Sequence, residues 1–522
     1  MNDVIDEGAV QSGTPGRTQP GELLAVEDPW RCLHVIRRLE VGPIRLEPRR
    51  VIAPYTVATD SGRDTTELIY RFEPEVFDPA DPAARNLASM MGAQVALNYG
   101  LFADEIHFLG TYDAVDREFL RDRAEDTARE IAVKKFLQPN PFLRGRAANL
   151  PAIRRQRYCH ARIRFPVAKG SIGGSERWAT EPWSDDPSRH AILSSGGKES
   201  LLTLGLLREI GCDTYPIFVN ESGRHWLTAL NAYRYLATSH PGTGRVWTNS
   251  DRVFAWFLRR LPFVRQDFAN IRSDEYPIRL WTVAVFLFGV LPLLRINRIG
   301  RLLIGDEFDT TRRAYHLGIP HYDGLYDQSR YFDHMITRYF RRKEFAVAQF
   351  SAVRNLSELL VQKILAQRYT DLFEHQMSCH AAHQDGVRVR PCGRCEKCRR
   401  IVGMLVAFGF DPGRCGYTDE QVGLCLSAFA TAGVNQESIG AQHLAYLLTQ
   451  RGLLSDGAAG LAAPRARPEV LMLRFDPDKA PLNTMPPDLR EPVYSILLQQ
   501  AEGALRRVGR EWQRFDPLDD AE

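Results

Sequence analysis

A chain of 522 residues is too long for one ordinary hydrophobic core, so two or three domains are expected. Its 44% apolar and 25% charged residues are the proportions of a water-soluble globular protein. A formal net charge of +3 selects no class of partner, and no basic block of nucleic-acid-binding type stands out, so neither nucleic acid nor membrane is expected.

The N-terminus, residues 1–28, is rich in Gly, Thr, Gln and acids and has no apolar signal core, so it reads as a disordered tail and the compartment as cytoplasmic. An α+β domain is expected over 29–165. It opens on a hairpin, with strands over 50–58 and 66–72 joined through Asp60-Ser61-Gly62-Arg63-Asp64. A helix from about Asp81 carries Leu87, Met90, Met91 and Val95 on one stripe. A strand over 105–110 and a helix over 115–136, with Phe119, Leu120, Ala124, Ala128 and Ile131 at helical spacing, complete the domain. Residues 166–189 read as a linker or lid.

From about residue 190 to 455 the alternation becomes regular and predicts an α/β fold with a parallel sheet and helices on both faces. Strands are expected at 190–194, 214–219, 245–248 and 301–304, and helices at 201–210, 226–237 and 281–291. The longest apolar run, 280–294, is interrupted by Pro292 and falls short of the roughly 20 residues that span a bilayer. A second linker over 456–470 and a C-terminal arm over 471–522, mostly an amphipathic helix from Pro486 to Trp512, close the chain.

Between the strand ending at Ser194 and the next helix lies Ser195-Gly196-Gly197-Lys198-Glu199-Ser200. Two adjacent glycines leave backbone N–H groups free to close on an anion, and the helix N-terminus adds partial positive charge. Two hydroxyls and the Lys198 ammonium complete a phosphate-sized cradle. In a parallel sheet ligands collect at the carboxyl ends of the strands, and other polar loops fall there. Asn220-Glu221-Ser222-Gly223-Arg224-His225 follows one strand, and Gly305-Asp306-Glu307-Phe308-Asp309 follows another. Three carboxylates in four residues predict Mg²⁺ at Asp306, Glu307 and Asp309. The loop over 318–329 adds His321, Tyr322, Asp327 and Gln328.

Nine cysteines, an odd number, argue against a disulfide framework. Cys379, then Cys392, Cys395 and Cys398 in two overlapping Cys-x-x-Cys steps, have the spacing of a structural Zn²⁺ site, with His380 and His383 as substitute ligands and an iron–sulfur cluster as the alternative.

The loop at 195–200 resembles the Ser-Gly-Gly-x-Asp-Ser loop of the PP-loop ATP pyrophosphatases, an adenine-nucleotide α-hydrolase-like superfamily, with Glu199 in place of the usual Asp. The cysteine spacing looks like the zinc site of its 7-cyano-7-deazaguanine synthase branch. The wider layout, with Tyr322-Asp323-Gly324-Leu325-Tyr326-Asp327-Gln328-Ser329, is similar to the UDP-N-acetylmuramoyl-L-alanyl-L-glutamate epimerases of peptidoglycan precursor synthesis. The resemblance implies ATP cleavage to AMP and pyrophosphate, with Ser195, Gly196, Gly197, Lys198, Glu199, Ser200 and Asn220 binding ATP. It implies Lys198, His225, Asp306 and Asp327 as catalytic, and Arg224, His321, Tyr322 and Gln328 as contacts to a nucleotide-sugar dipeptide. Alternatives are another adenylating enzyme, forming a nitrile or a thiolated base, and a zinc-stabilised nucleotide sensor.

Overall fold

The computed structural model describes residues 28–166, 182–221, 223, 225–271, 276–322, 324–379, 381–454 and 463–519. Among the expectations above, the tail over 1–27, most of the lid, much of the second linker, Ser222, Arg224, Asp323 and His380 lie outside them.

The first ten strands are β1 Ile36–Val41, β2 Arg45–Glu47, β3 Arg50–Thr59, β4 Gly62–Phe72, β5 Ala103–Phe108, β6 Arg162–Arg164, β7 Asp186–Ser194, β8 Asp213–Asn220, β9 Gly244–Thr248 and β10 Ile299–Ile304. A hairpin, β11 Arg313–His316 and β12 Ile319–Tyr322, precedes β13 Ala348–Phe350. A second hairpin follows, β14 His383–Asp385 with β15 Arg388–Arg390, and a small C-terminal sheet is built from β16 Leu473–Phe475, β17 Ala504–Val508 and β18 Glu511–Arg514. The helices are α1 Pro82–Ala93, α2 Ala114–Ile131, α3 Lys198–Glu209, α4 His225–Ser239, α5 Ser250–Leu258, α6 Val283–Ile296, α7 Arg330–Arg342, α8 Glu358–Arg368, α9 Thr370–Phe373, α10 Glu396–Phe408, α11 Asp419–Ala432, α12 Ser438–Gln450 and α13 Pro487–Leu498.

One mixed, mostly parallel sheet of eleven strands runs in the order β13-β10-β7-β8-β9-β4-β3-β1-β5-β6, with β2 on β3. The half from β13 to β9 is parallel throughout. Alternate residues of its strands enter different cores: Ala191, Ile217 and Leu302 face one, and their neighbours Ile192, Phe218 and Leu303 face the other. Burial on both faces explains why these strands read as continuous apolar runs. The sheet does not stop at the boundary expected near residue 165, because β9 pairs antiparallel with β4 through Tyr70 and Thr248. The N-terminal elements and the parallel half therefore share a sheet and one core.

The β3–β4 hairpin and α1, α3, α4, α6, β8, β9 and β10 lie where periodicity placed them, to within a few residues. The C-terminal arm differs. Its helix stops at Leu498, and Gly503 and Gly509, both at positive φ, turn the chain into the β17–β18 hairpin. No described helix is long and apolar enough to cross a membrane.

Strand order reverses between β7 and β10: from β7 the chain moves one way to β8 and β9, then returns to β10 and β13. In parallel sheets such a reversal is the place where ligand sites form. Both phosphate-type and acidic loops of the sequence leave from this pair.

Candidate functional site

The turn after β7 is shaped by Gly196, at φ +75°, where an added Cβ would meet the Thr228 carbonyl of α4 at 2.6 Å. Met377 N donates to the Gly196 carbonyl at 3.0 Å and pins the turn from outside. Inside it, the Ser194 and Ser200 hydroxyls lie 3.1 Å apart, Ser200 Oγ donates to Gly197 O at 3.1 Å, and Gly196 N donates to Ser194 Oγ at 3.3 Å. No side chain caps the first amides of α3, so its positive end faces the turn. The Ser194 and Ser200 hydroxyls and the Gly196 amide thus bond one another across the turn.

Lys198 is buried at the centre of a carboxylate cluster. Its Nζ pairs with Glu199, lies 3.0 Å from Glu358 Oε1 and 4.0 Å from Glu307 Oε2. Arg400 Nε, from α10, closes on Glu358 at 3.2 Å. Burial by itself would favour neutral Lys198, but Glu199, Glu358 and Glu307 outweigh it and hold the ammonium well above its ordinary range. Burial pushes Glu307 well above the usual carboxylate range despite Lys198, and its Oε2 receives no hydrogen bond. Burial acts on Glu358 in the same direction, but Arg400 and Lys198 reverse it and keep that carboxylate below its ordinary value. Gly305 permits the approach of β10 to α3, since a Cβ there would fall 2.7 Å from the Glu199 carbonyl carbon.

The acidic loop does not act as one unit. Of the trio expected to hold Mg²⁺, Glu307 joins Lys198. Asp306 turns inward to Arg354, 3.4 Å away, which also binds Asp333 at 2.6 Å. Asp309 is held by Arg474 at 3.2 Å, beside Glu437. Each carboxylate has its own cation because consecutive residues leaving a strand end in a turn point in different directions. The carboxylates that do converge are Glu199, Glu307 and Glu358, whose oxygens lie within 4.8 Å of one another. Asp306 and Asp309 point away to Arg354 and Arg474, so the expected Asp306–Glu307–Asp309 metal set does not form, and Lys198 stands in the midst of the Glu trio.

At the end of β8, Asn220 reaches the same edge. Glu221 is buried, accepting from Arg279 Nη1 and Ser250 Oγ at 3.0 Å each. His225 opens α4, one turn before the Thr228 that touches the Gly196 turn, and its Nε2 lies 2.8 Å from the Tyr276 hydroxyl. Burial, aided by Arg279, pulls His225 down to about 4, so it is a neutral imidazole at pH 7.

The loop beyond β12 serves the frame. Asp327 Oδ2 accepts the Thr282 and Val283 amides at 2.8 Å each, capping α6 from a distance. One oxygen is committed to a helix end, while Oδ1 is buried without a hydrogen bond and burial raises the carboxyl to about 6. His321 Nδ1 lies 3.0 Å from the Tyr322 carbonyl, and the Tyr322 amide donates to Glu130 of α2 at 3.0 Å. The Gln328 carbonyl accepts from Arg354 at 2.8 Å.

Behind α4 and α8, the four cysteines meet. Sγ separations are 3.5 Å for Cys395–Cys398, 3.8 Å for Cys379–Cys395 and 3.9 Å for Cys392–Cys398. Four thiolates bound at ~2.3 Å to a tetrahedral ion stand about 3.8 Å apart. The donor set could therefore hold one metal ion such as Zn²⁺, with the Cys392 and Arg394 amides pointing at Cys379 and Cys392 sulfurs. The spacing is that of a single ion, not of a multi-iron cage.

The chain matches no known family model and no curated protein. The site is therefore read from its own chemistry.

Several participants carried no local signal. Glu358 is an ordinary N1 acid after the Ser357 cap of α8, and Arg400 lies in a charged helix start. Tyr276, Arg279 and Arg354 are isolated residues between elements. Only the fold brings them to the loop.

Proposed function

We propose that this protein activates a carboxylate with ATP, releasing pyrophosphate and forming an acyl-adenylate, on an adenine-nucleotide α-hydrolase-like domain. The substrate we assign is UDP-N-acetylmuramoyl-L-alanyl-L-glutamate, whose terminal L-glutamate is epimerised to D-glutamate. The observation that carries the reading is the convergence of the Ser194–Ser200 cradle and the buried Lys198 at the β7/β10 reversal.

A free carboxylate resists loss of its α-proton because a second negative charge would build beside the first. Joining its oxygen to the α-phosphorus of ATP expels pyrophosphate and leaves a mixed anhydride, whose α-proton is far more acidic. A base removes that proton, a proton returns to the opposite face, and water cleaves the anhydride to AMP and the D-glutamyl product. In this scheme the uncapped α3 amides and the Ser195 and Ser200 hydroxyls bind phosphate oxygens. Lys198 exchanges a glutamate for the departing pyrophosphate. Neutral His225, within hydrogen-bond reach of Tyr276, serves as the acid/base group, and Asn220 lies at the same sheet edge.

A second reading, a metal-stabilised nucleotide sensor, is favoured by one observation: Lys198 is already saturated by Glu199 and Glu358. Thiolation is disfavoured. Cys212 precedes β8 and so lies at the opposite end of the sheet from the turn. Incubation in deuterium oxide with ATP and the UDP-dipeptide separates the readings. The epimerase incorporates deuterium at the glutamate α-carbon and releases AMP; AMP without deuterium leaves a different adenylating enzyme, and neither product leaves the sensor.

A further inference from the structure

Residues 131–166 contain nine Lys or Arg and no Asp or Glu, in a chain whose whole surplus is +3. The absence of a basic block inferred from the overall charge is thereby corrected: the block exists, spread thinly enough along the sequence to escape a window of a few residues. Folding concentrates it. At the far edge of the sheet, β6 and the segment before it line a cleft of about 560 Å³ together with the short helix Pro29–Leu33. Arg121, Arg155, Arg157, His160, Arg162 and Arg164 face this cleft.

Several of these cations are held loosely. Arg155 pairs with Asp28 at 2.6 Å, His160 with Asp104 at 2.9 Å, Arg162 with Glu105 at 3.2 Å and Arg157 with Glu125 at 4.0 Å. The pairs of Arg157, His160 and Arg162 put an exposed cation at the surface, where such pairs contribute little and exchange readily, whereas Arg155–Asp28 is part-buried. Arg121 and Arg164 have no carboxylate among the described residues; Arg121 stacks its guanidinium over Phe165 at 5.2 Å. His34 lies face to face with His160, ring centres 3.5 Å apart, at the floor.

The aromatic residues decide between ligand classes. A site for single-stranded nucleic acid presents exposed rings on which bases stack. Here Trp30 and Tyr158 are 2% and 5% exposed, and Arg155 covers the Trp30 ring at 5.3 Å. The cleft thus offers forked guanidinium donors around one stacked imidazole pair, with its indole and phenol rings buried, in a volume of nucleotide size. Guanidinium forks match phosphate oxygens in pairs. We propose that this cleft binds the diphosphate of a small nucleotide-type ligand, at a site separate from the Lys198 cluster. Strand β6 is seven strands from β7 and eight from β10 across the sheet, about 35 Å at ~4.8 Å per strand. The inference goes beyond the proposed reaction and does not depend on it.

The test is calorimetric titration of the full-length protein with UDP and separately with inorganic pyrophosphate. Both are expected to bind. Arg157→Glu with Arg164→Glu, at two exposed positions, weakens them at least about tenfold, and the corresponding pair of Arg→Lys changes weakens them less. Circular dichroism of each variant excludes unfolding as the cause. No binding of either probe, binding indifferent to the charge reversals, or binding confined to RNA oligomers and rising with their length would each overturn the proposal.

Discussion

Lys198 faces three glutamates and Arg400 faces two of the acids around it, so the cluster carries more carboxylate than cation. Removing the ammonium as Lys198→Met leaves buried charges without a partner, and the expected loss of folding stability is about 3–5 kcal/mol at pH 8 by urea unfolding. The loss should shrink at pH 5, where the glutamates take up protons instead. Glu307 already leans to its protonated form, so Glu307→Gln should change stability by no more than about 1 kcal/mol; a large drop in the same measurement would mean that Glu307 is ionised. Two other acids set a pH dependence. Burial raises Glu130 to about 7 and Asp327 to about 6. Groups raised in the folded state bind more protons there than when unfolded, so their contribution is complete below about pH 4 and declines as pH rises to about 7. The unfolding midpoint in urea should fall across that window, and Glu130→Gln should flatten the upper part of it.

At the scale of elements, α10 connects the two sites that the sequence presented separately. Its first turn carries Cys398, and the same turn carries Arg400 on Glu358, which in turn touches Lys198. Stripping a metal from the cysteines should therefore loosen the Lys198 cluster as well. The full-length protein is expected to hold about one zinc per chain by elemental analysis; chelation or Cys395→Ser should lower both the melting temperature and ATP affinity, and unchanged ATP affinity would uncouple the sites. The same comparison explains what could be read in advance. The Gly-Gly turn and the Cys-x-x-Cys steps are local, so their residues were legible and come together in space. The metal set was misread at Asp306 and Asp309 because the directions of side chains in a turn, and the arrival of Arg354 and Arg474 from elsewhere, are not local properties. That Asp327 also caps a helix was hidden for a similar reason: the helix begins over forty residues earlier.

Over the whole molecule, the parallel half was visible in its apolar runs, whereas its fusion to the N-terminal strands was not. The β4–β9 pairing joins segments nearly two hundred residues apart, and no periodicity encodes a partner. Asn98 adds to the joint by accepting the Leu280 and Trp281 amides at 2.9 Å each. A fragment limited to residues 29–165 would expose β4 and half a core, and it should not give a cooperative melting transition. The chemistry proposed for the strand reversal begins with attack of a carboxylate oxygen on ATP. Supplying the UDP-dipeptide with ¹⁸O in its glutamate α-carboxylate tests this directly. Acyl-adenylate formation followed by attack of water on the carbonyl predicts AMP carrying one ¹⁸O atom by mass spectrometry, whereas unlabelled AMP, or no AMP, would contradict it.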